Sequence, residues 1–333
     1  MSRYHIYGIG AALVDTEIEV SDQDLEQFSI EKGVMTLVDE SRQHELMDQL
    51  SNHLIASKRA SGGSAANTII AASYFGANNF YSCKVANDDN GQFYLADMRD
   101  AGVNIPPNSA EENGITGKCL VMITPDAERT MNTFLGISET VSSKELHEPA
   151  IASAQYVYIE GYLVTSDTGR TAAIELRQQA EANGVKTALS LSDPAMVQFF
   201  RDGLSEMIGD KVNILFCNQE EALGYTQTES LDEAIDVLKT IADEFAITLG
   251  SEGALVFDGK DIIKVDPVKV EAIDTNGAGD MFAGAFLYAI SHGYSHQQAG
   301  KLASAASAKV VSQFGPRLAA QQHQVLLDSI LSE

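Results

Sequence analysis

Two periods of apolar and polar positions divide this chain. Tyr4 to Gly10, Leu13 to Val20 and Gly33 to Val38 are rich in apolar and β-branched residues and predict extended segments. At Gly62 the pattern changes: Gly62-Gly63-Ser64-Ala65-Ala66-Asn67-Thr68 opens an apolar helical run that stops at Phe75-Gly76, where glycine follows the last periodic residue. Phe80 to Val85 predicts a strand and Gln92 to Asp100 a helix. Ile115 to Thr124 with Thr130 to Leu135 predicts a hairpin about Pro125-Asp126. The early extended segments predict an edge or lid sheet, with the lid formed by about 12–40 and 113–137.

Beyond Gln155 the alternation is regular. Strands are predicted at Tyr156 to Ile159, Val185 to Leu191, Val212 to Cys217, Phe245 to Leu249 and Ala254 to Phe257. Helices are predicted at Thr168 to Asn183, stopped by Gly184, at Leu231 to Glu244, and from Ala278, Ser295 and Ala320. Strands alternating with helices of this length give parallel βαβ units, so the expected fold is α/β: a doubly wound, mainly parallel sheet with helices on both faces. Ligands in such sheets bind at the carboxyl ends of the strands. With no internal repeat, low-complexity tract or linker, 1–333 is expected to be a single α/β domain carrying the lid.

Composition narrows the partners. The 333 residues are 44% apolar, yet no run approaches the length of a membrane span, and the N-terminus lacks the pattern of a signal peptide. A cytoplasmic protein is expected. The formal charge of −25, uninterrupted by a basic stripe, opposes binding to nucleic acid or an acidic membrane and favours a small ligand. Cys83, Cys119 and Cys217 are odd in number and lie in apolar stretches, as reduced, buried thiols do.

The strongest chemical signal is Asp274-Thr275-Asn276-Gly277-Ala278-Gly279-Asp280, which leaves an extended stretch and enters a helix. Gly277 and Gly279 allow close backbone approach, so the amides at the helix start, with that of Ala278, can face a phosphate or oxyanion. Asp280 stands beside that cradle, where a carboxylate can take the proton of an attacking hydroxyl. Read blandly, the same residues are a glycine turn with an acid complementing the helix dipole.

This heptad resembles the signature of the PfkB, or ribokinase-like, family, whose last aspartate is the catalytic base. The resemblance extends from Tyr4 to about Gly315. Gly62-Gly63-Ser64-Ala65-Ala66-Asn67 resembles the family's glycine motif, implying sugar-hydroxyl contacts from Gly62, Gly63, Ser64 and Asn67. Asp15 matches an aspartate that binds a sugar diol, a partner an acid in an apolar stretch requires. Asn218-Gln219-Glu220-Glu221 resembles an Asn-x-x-Glu element tied to phosphate and, indirectly, Mg²⁺; it is equally a helix capping box. Thr248, Gly250 and Gly253 match a nucleotide loop that reads as well as an ordinary loop. Arg129 and Asn276 match groups near the transferred phosphate, although an exposed lid arginine without a role fits Arg129 equally. Val310 to Gly315, Gln313 included, align with a stretch whose carbonyls, with those near Asp274 and Asn276, bind a monovalent cation in several relatives, implying a site that would take K⁺.

Within the family, Asn276 third in the heptad, Asn213-Ile214-Leu215-Phe216, Ile159-Glu160-Gly161-Tyr162, Leu189-Ser190-Leu191-Ser192 and Thr116-Gly117-Lys118-Cys119 resemble the adenosine kinase branch. Ala11 departs from it, standing where many relatives have asparagine, and Ser64 stands where ribokinases have lysine. The implied activity is transfer of the γ-phosphoryl group of MgATP to a primary hydroxyl of a ribose-type substrate, a nucleoside such as adenosine. A kinase of a free sugar or sugar acid, and a nucleoside or sugar sensor without chemistry, are the alternatives. A monomer and a homodimer paired through the lid are both compatible with the resemblance. Gly8-Ile9-Gly10 lacks the third glycine of a dinucleotide fingerprint, and the sequence contains no Walker lysine loop, His-based zinc motif or nucleophile elbow.

Overall fold

A computed structural model describes residues 4–53, 58–106, 112–126 and 128–331. Its larger sheet has eight strands in the order Ile262–Val265, Ala254–Phe257, Ala242–Thr248, Val212–Asn218, Lys186–Ser190, Ala154–Glu160, Tyr4–Ile9, Asn79–Ser82. From Ala242–Thr248 to Asn79–Ser82 neighbours pair in parallel, and the two strands at the other edge join antiparallel. The period of two along each strand sends its side chains into two separate cores. In Ala154–Glu160, Tyr156 and Tyr158 pack with the helices Ser64–Phe75, Ala278–Ser291 and His296–Val311, while Val157 and Ile159 pack with Asp167–Ala182 and Pro194–Ile208. This is the doubly wound ribokinase-like fold expected above.

The chain runs from Tyr4–Ile9 to its neighbour Asn79–Ser82 and later places Ala154–Glu160 on the opposite side of Tyr4–Ile9. Strand order therefore reverses between Tyr4–Ile9 and Ala154–Glu160. At such a reversal the connections leave in opposite directions and open a crevice at the carboxyl ends.

A second sheet of five strands runs in the order Met35–Leu37, Arg129–Phe134, Gly117–Ile123, Leu13–Glu19, Lys58–Gly62. The expected hairpin is present as Gly117–Ile123 antiparallel to Arg129–Phe134, with Asp126 accepting the Thr124 hydroxyl at 2.7 Å in its turn. Residue 127 of that turn lies outside the described residues. The sheet also takes in Lys58–Gly62, beyond the expected lid boundaries, paired antiparallel to Leu13–Glu19. Lys-Arg-Ala-Ser-Gly shows no apolar alternation, so the segment could be recognised only through its partner. Ile18, Leu120 and Met122 on one face are covered by Leu25, Leu46 and Leu50 of the helices Asp22–Gln27 and Glu40–Gln49 and their ends. The other face, with Leu13, Asp15, Cys119 and Met131, closes over the crevice of the large sheet.

The expected helix Leu231 to Glu244 ends earlier, at Ile241, and Ala242-Asp243-Glu244 begins the next strand. Those three residues suit a helix, but Ala242 pairs with Val212 and Glu244 with Ile214, and Ala242 is fully buried. Sheet pairing and burial outweigh a weak local preference. The helix Pro194–Ile208 went unread, despite its Asp193 cap and Pro194 at the first position. All three cysteines are free and buried. Among the described residues no helix is long and apolar enough to cross a membrane.

The helices Ala278–Ser291 and Ser64–Phe75 lie in close contact because Gly284 presents no side chain. A Cβ there would stand 2.5 Å from the Thr68 carbonyl oxygen and 2.8 Å from the Ala71 Cβ. Gly284→Ala is expected to destabilise the protein by about 1–3 kcal/mol through overpacking, read as a fall in the denaturation midpoint at unchanged m-value. An unchanged midpoint would mean that the two helices separate freely.

Candidate active site

The crevice between the two sheets is a cavity of about 340 Å³, within the range of small-ligand sites. Its floor comes from the heptad. Gly277 caps the Ala278–Ser291 helix with φ at +73°, and a Cβ on it would lie 2.6 Å from the Pro316 carbonyl oxygen, so both its backbone conformation and its surroundings require glycine. The first full helical hydrogen bond runs from the Met281 N–H to the Gly277 carbonyl at 2.8 Å. The amides of Gly279 and Asp280 therefore have no acceptor within the helix and form an anion-attracting end.

Asp280 is the third residue of this helix, within its first turn, and is half-buried. Its Oδ1 accepts the Ser64 hydroxyl at 2.6 Å and its Oδ2 accepts the Asn67 side-chain N–H at 3.1 Å. The two motifs, more than two hundred residues apart in the chain, thus meet at one carboxylate. Burial raises the Asp280 pKa above the ordinary carboxylate range, partly opposed by those two hydrogen bonds and by the charges of Arg129 and Arg317. A carboxylate so held is a stronger proton acceptor than a free one.

Asp15 faces the cavity from the small sheet and is buried, with Oδ1 lacking a hydrogen-bond partner. Gly62 lies beneath it, where any side chain would overlap the carboxylate. Burial pushes the Asp15 pKa up to about 8; Glu17 and Asp280 add repulsion, and Arg317 and Arg129 oppose it. Arg129, from the same sheet, donates to the Asn276 side-chain oxygen at 2.6 Å and ties the cover of the cavity to its floor.

On the remaining wall, Asn218 and Glu221 do form a capping box. The Glu221 amide donates to the Asn218 side chain at 2.8 Å, and the Glu221 carboxylate accepts the Asn218 amide at 3.0 Å and its side-chain N–H at 2.7 Å. Both residues also line the cavity, with Thr248 and Asn276. Burial pushes the Glu221 pKa up to about 7. Gly250 and Gly253 shape the loop after Thr248, where the Leu249 amide donates to the Gly253 carbonyl at 2.8 Å. Behind the heptad, buried Asp274 accepts the amides of Asn276 and Gly315, each at 2.8 Å. The segments 274–276 and 310–315 therefore lie together, but the Gln313 side chain turns to the Arg317 carbonyl at 3.0 Å and to Gln322 at 3.3 Å.

Three residues of the site carry no assigned role in the sequence, although Glu160 and Ser192 stand in its branch-specific stretches. Glu160 ends its strand at the order reversal, 1% exposed, and accepts the amides of Ala11 at 2.6 Å and Ala65 at 2.7 Å. Its signal was an acid closing an apolar strand, where strand ends meet ligands. Ser192, with φ at +72°, accepts the Gly161 amide at 2.8 Å at the cavity edge. Arg317 lies just past the segment singled out at Gly315 and bonds Asn67.

Comparison with known proteins agrees with this fold. Residues 30–323 match the profile of the pfkB family carbohydrate kinases. The crystal structure of adenosine kinase from Sinorhizobium meliloti is 31% identical and superposes with a TM-score of 0.92, covering 98% of this chain and 100% of that one. A probable sugar kinase protein from Rhizobium etli CFN 42 is 30% identical at a TM-score of 0.92, with 99% of each chain covered. The adenosine kinase of Schizophyllum commune is 26% identical over 98% of this chain and 100% of its own length.

The buried Asp15 generates a test of the site's electrostatics. A carboxyl whose folded pKa exceeds its unfolded value binds the extra proton in the folded state, so its stabilising contribution is present at low pH and is lost as pH rises to the folded value. For Asp15 that window runs from 3.8 to about 8. Asp15→Asn, which cannot ionise, is expected to flatten the decline of the thermal midpoint across this window. An unaltered pH dependence would show that Asp15 is ionised and paired in solution.

Proposed function

The chain belongs to the pfkB family of carbohydrate kinases, phosphotransferases that act on an alcohol group, and on that premise we propose that it phosphorylates the primary hydroxyl of a nucleoside such as adenosine. The observation that carries this reading is Asp280, held by Ser64 and Asn67 at the mouth of an amide-lined helix end. The acceptor's vicinal hydroxyls would satisfy Asp15, which lines the cavity and has an unpartnered Oδ1, together with Asn67 and the backbone at Gly62-Gly63. Its primary hydroxyl would then give its proton to Asp280 while attacking the γ-phosphorus of ATP in line, with ADP leaving. The amides of Gly277 and of the unpaired helix start at Gly279, with Arg129, would face the charge that develops on the transferred group, the Ala278 amide being shared with the Thr275 carbonyl.

The nucleotide would lie along Asn218, Thr248, Asn276 and the Gly250 to Gly253 loop. Mg²⁺, when bound, draws charge from the phosphate oxygens. Glu221 would hold it through its water shell, because both carboxylate oxygens already accept from Asn218. A monovalent cation such as K⁺ would have to use main-chain carbonyls of 274–276 and 310–315, since the side chains of Asp274 and Gln313 are engaged. The apolar wall of Leu13, Met131 and Leu135 supports a flat base on the sugar. Ala11 offers that acceptor no side-chain hydrogen bond, its amide being held by Glu160.

The reading is tested by ADP release from MgATP against a panel of nucleosides and free sugars. Turnover is expected on a nucleoside, falling by about 10²–10⁴-fold in kcat for Asp280→Asn. Turnover confined to free sugars would move the substrate and keep the mechanism; a nucleoside that binds without turning over would make the protein a sensor. Exchanging K⁺ for tetramethylammonium in the same assay is expected to lower turnover if the carbonyl site is used, and equal rates would remove the cation from the mechanism.

A further inference from the structure

Arg317 follows Gly315-Pro316 and buries most of its side chain, 15% of which remains exposed. Its guanidinium meets three elements at once. Nε donates to the Asn67 side-chain oxygen at 2.9 Å, one terminal nitrogen to the Asp97 carboxylate at 3.0 Å, and the other to the Ser61 hydroxyl at 3.0 Å. Ser61 also donates its hydroxyl and, at 3.1 Å, its amide to Asp97. Burial opposes the charge on Asp97, yet bonds from Ser61 and the charge of Arg317 hold its pKa below the ordinary range. The fork is thus anchored on the small sheet at Ser61 and on the helix Asp89–Asp100.

The consequence lies at Asn67. A guanidinium only donates, so the amide must turn its oxygen toward Arg317. Its NH₂ is left to face Asp280, which as an anion only accepts. Without the arginine, nothing in this network prevents the amide from turning its oxygen to Asp280, an arrangement that favours the protonated acid.

We propose that Arg317 is a positioning residue of phosphoryl transfer, locking the Asn67 amide so that Asp280 is aimed and kept ionised. The inference rests on Asp280 being the base, as proposed above. Of the titratable groups around Asp280, Asp15, Glu160, Tyr158 and Tyr162 have their own pKa values raised by its charge, and Arg129 and Arg317 favour its ionisation. Arg129 acts from the small sheet and is bonded to Asn276; Arg317 acts through the hydrogen bond that orients the base.

The test is the pH profile of kcat/KM, whose acid limb reports the base of the free enzyme. Arg317→Met is expected to lower kcat at least tenfold and to move the acid limb up by about one pH unit, the sign for removing a positive charge near a carboxylate. Asn67→Ala is expected to move the limb in the same direction, and adding Arg317→Met to it is expected to move it little further, because the two act through one bond. Arg317→Lys keeps the charge but not the fork that fixes the amide, and is expected to move the limb in the same direction as Arg317→Met while losing kcat. A wild-type limb in folded Arg317→Met, or fully additive shifts, would overturn the proposal. Should Arg317→Met fail to fold, wild-type kcat in Arg317→Lys would overturn it alone. Full activity in Asp280→Asn would instead remove the base assignment beneath it, so the two failures are distinguishable.

Discussion

The site depends on one buried carboxylate that touches no substrate in the proposed reaction. The Ser64–Phe75 helix begins at Gly63 and has no side-chain cap of its own. Glu160, from a strand almost a hundred residues later, accepts its Ala65 amide and simultaneously the Ala11 amide of the first crossover. A helix start carries unpaired donors and partial positive charge, so an anion placed there is favoured on both counts. The approach is so close that a Cβ on Gly10 would fall 2.5 Å from the carboxylate. Burial still pushes the Glu160 pKa up to about 7, which is the cost of using a charge as a clamp. What the clamp secures is the relative position of the three segments that carry Asp15, Ser64 with Asn67, and the strand order reversal.

Around that clamp the cavity gathers more carboxyl groups than cations. Asp15, Glu160, Glu221 and Asp280 all line it, and burial raises the pKa of each. Two arginines are set against them, from opposite sides: Arg129 through the small sheet and Arg317 through the C-terminal segment. An empty site of this kind works against the stability of the fold, as sites that bind hydroxyls and cations commonly do. Ligand hydroxyls at Asp15 and a cation near Glu221 would relieve strain already present, so binding energy and electrostatic relief come from the same groups.

Most of this was legible in the chain because its informative residues are local. The heptad joins glycines, a helix start and an acid within seven positions, and the glycine motif and hairpin are equally compact. The roles of Glu160 and Arg317 were not legible for the opposite reason: their partners are 149 and 95 residues away for the first, and 250, 220 and 256 for the second. No period or spacing encodes such a meeting. Lys58–Gly62 belongs to the same class, being a strand by virtue of Leu13–Glu19 beside it. The misplaced end of the Leu231–Ile241 helix shows the converse, where Ala242 to Glu244 carry helix-favouring residues and the sheet overrides them.

The two sides of the cavity are fastened to the base in different ways. From the large-sheet side Asp280 is held by Ser64 and Asn67 and by the contact of Gly284 with the Ser64–Phe75 helix, while Arg317 behind Asn67 links that amide to Ser61 of the small sheet. These are short contacts between packed elements, and displacing any of them disturbs a core. From the small-sheet side the heptad is met by the Arg129 side chain on Asn276, a long, flexible arm reaching across the cavity. Chemistry at Asp280 needs sub-ångström placement of the proton acceptor, whereas admitting an acceptor the size of a nucleoside needs the cover to yield. A rigid attachment on one side and a hydrogen bond that can be broken and remade on the other meet both requirements, which is why Asp280, the proposed base, belongs to the helix of the large sheet and Asp15, the proposed diol-binding acid, to the cover.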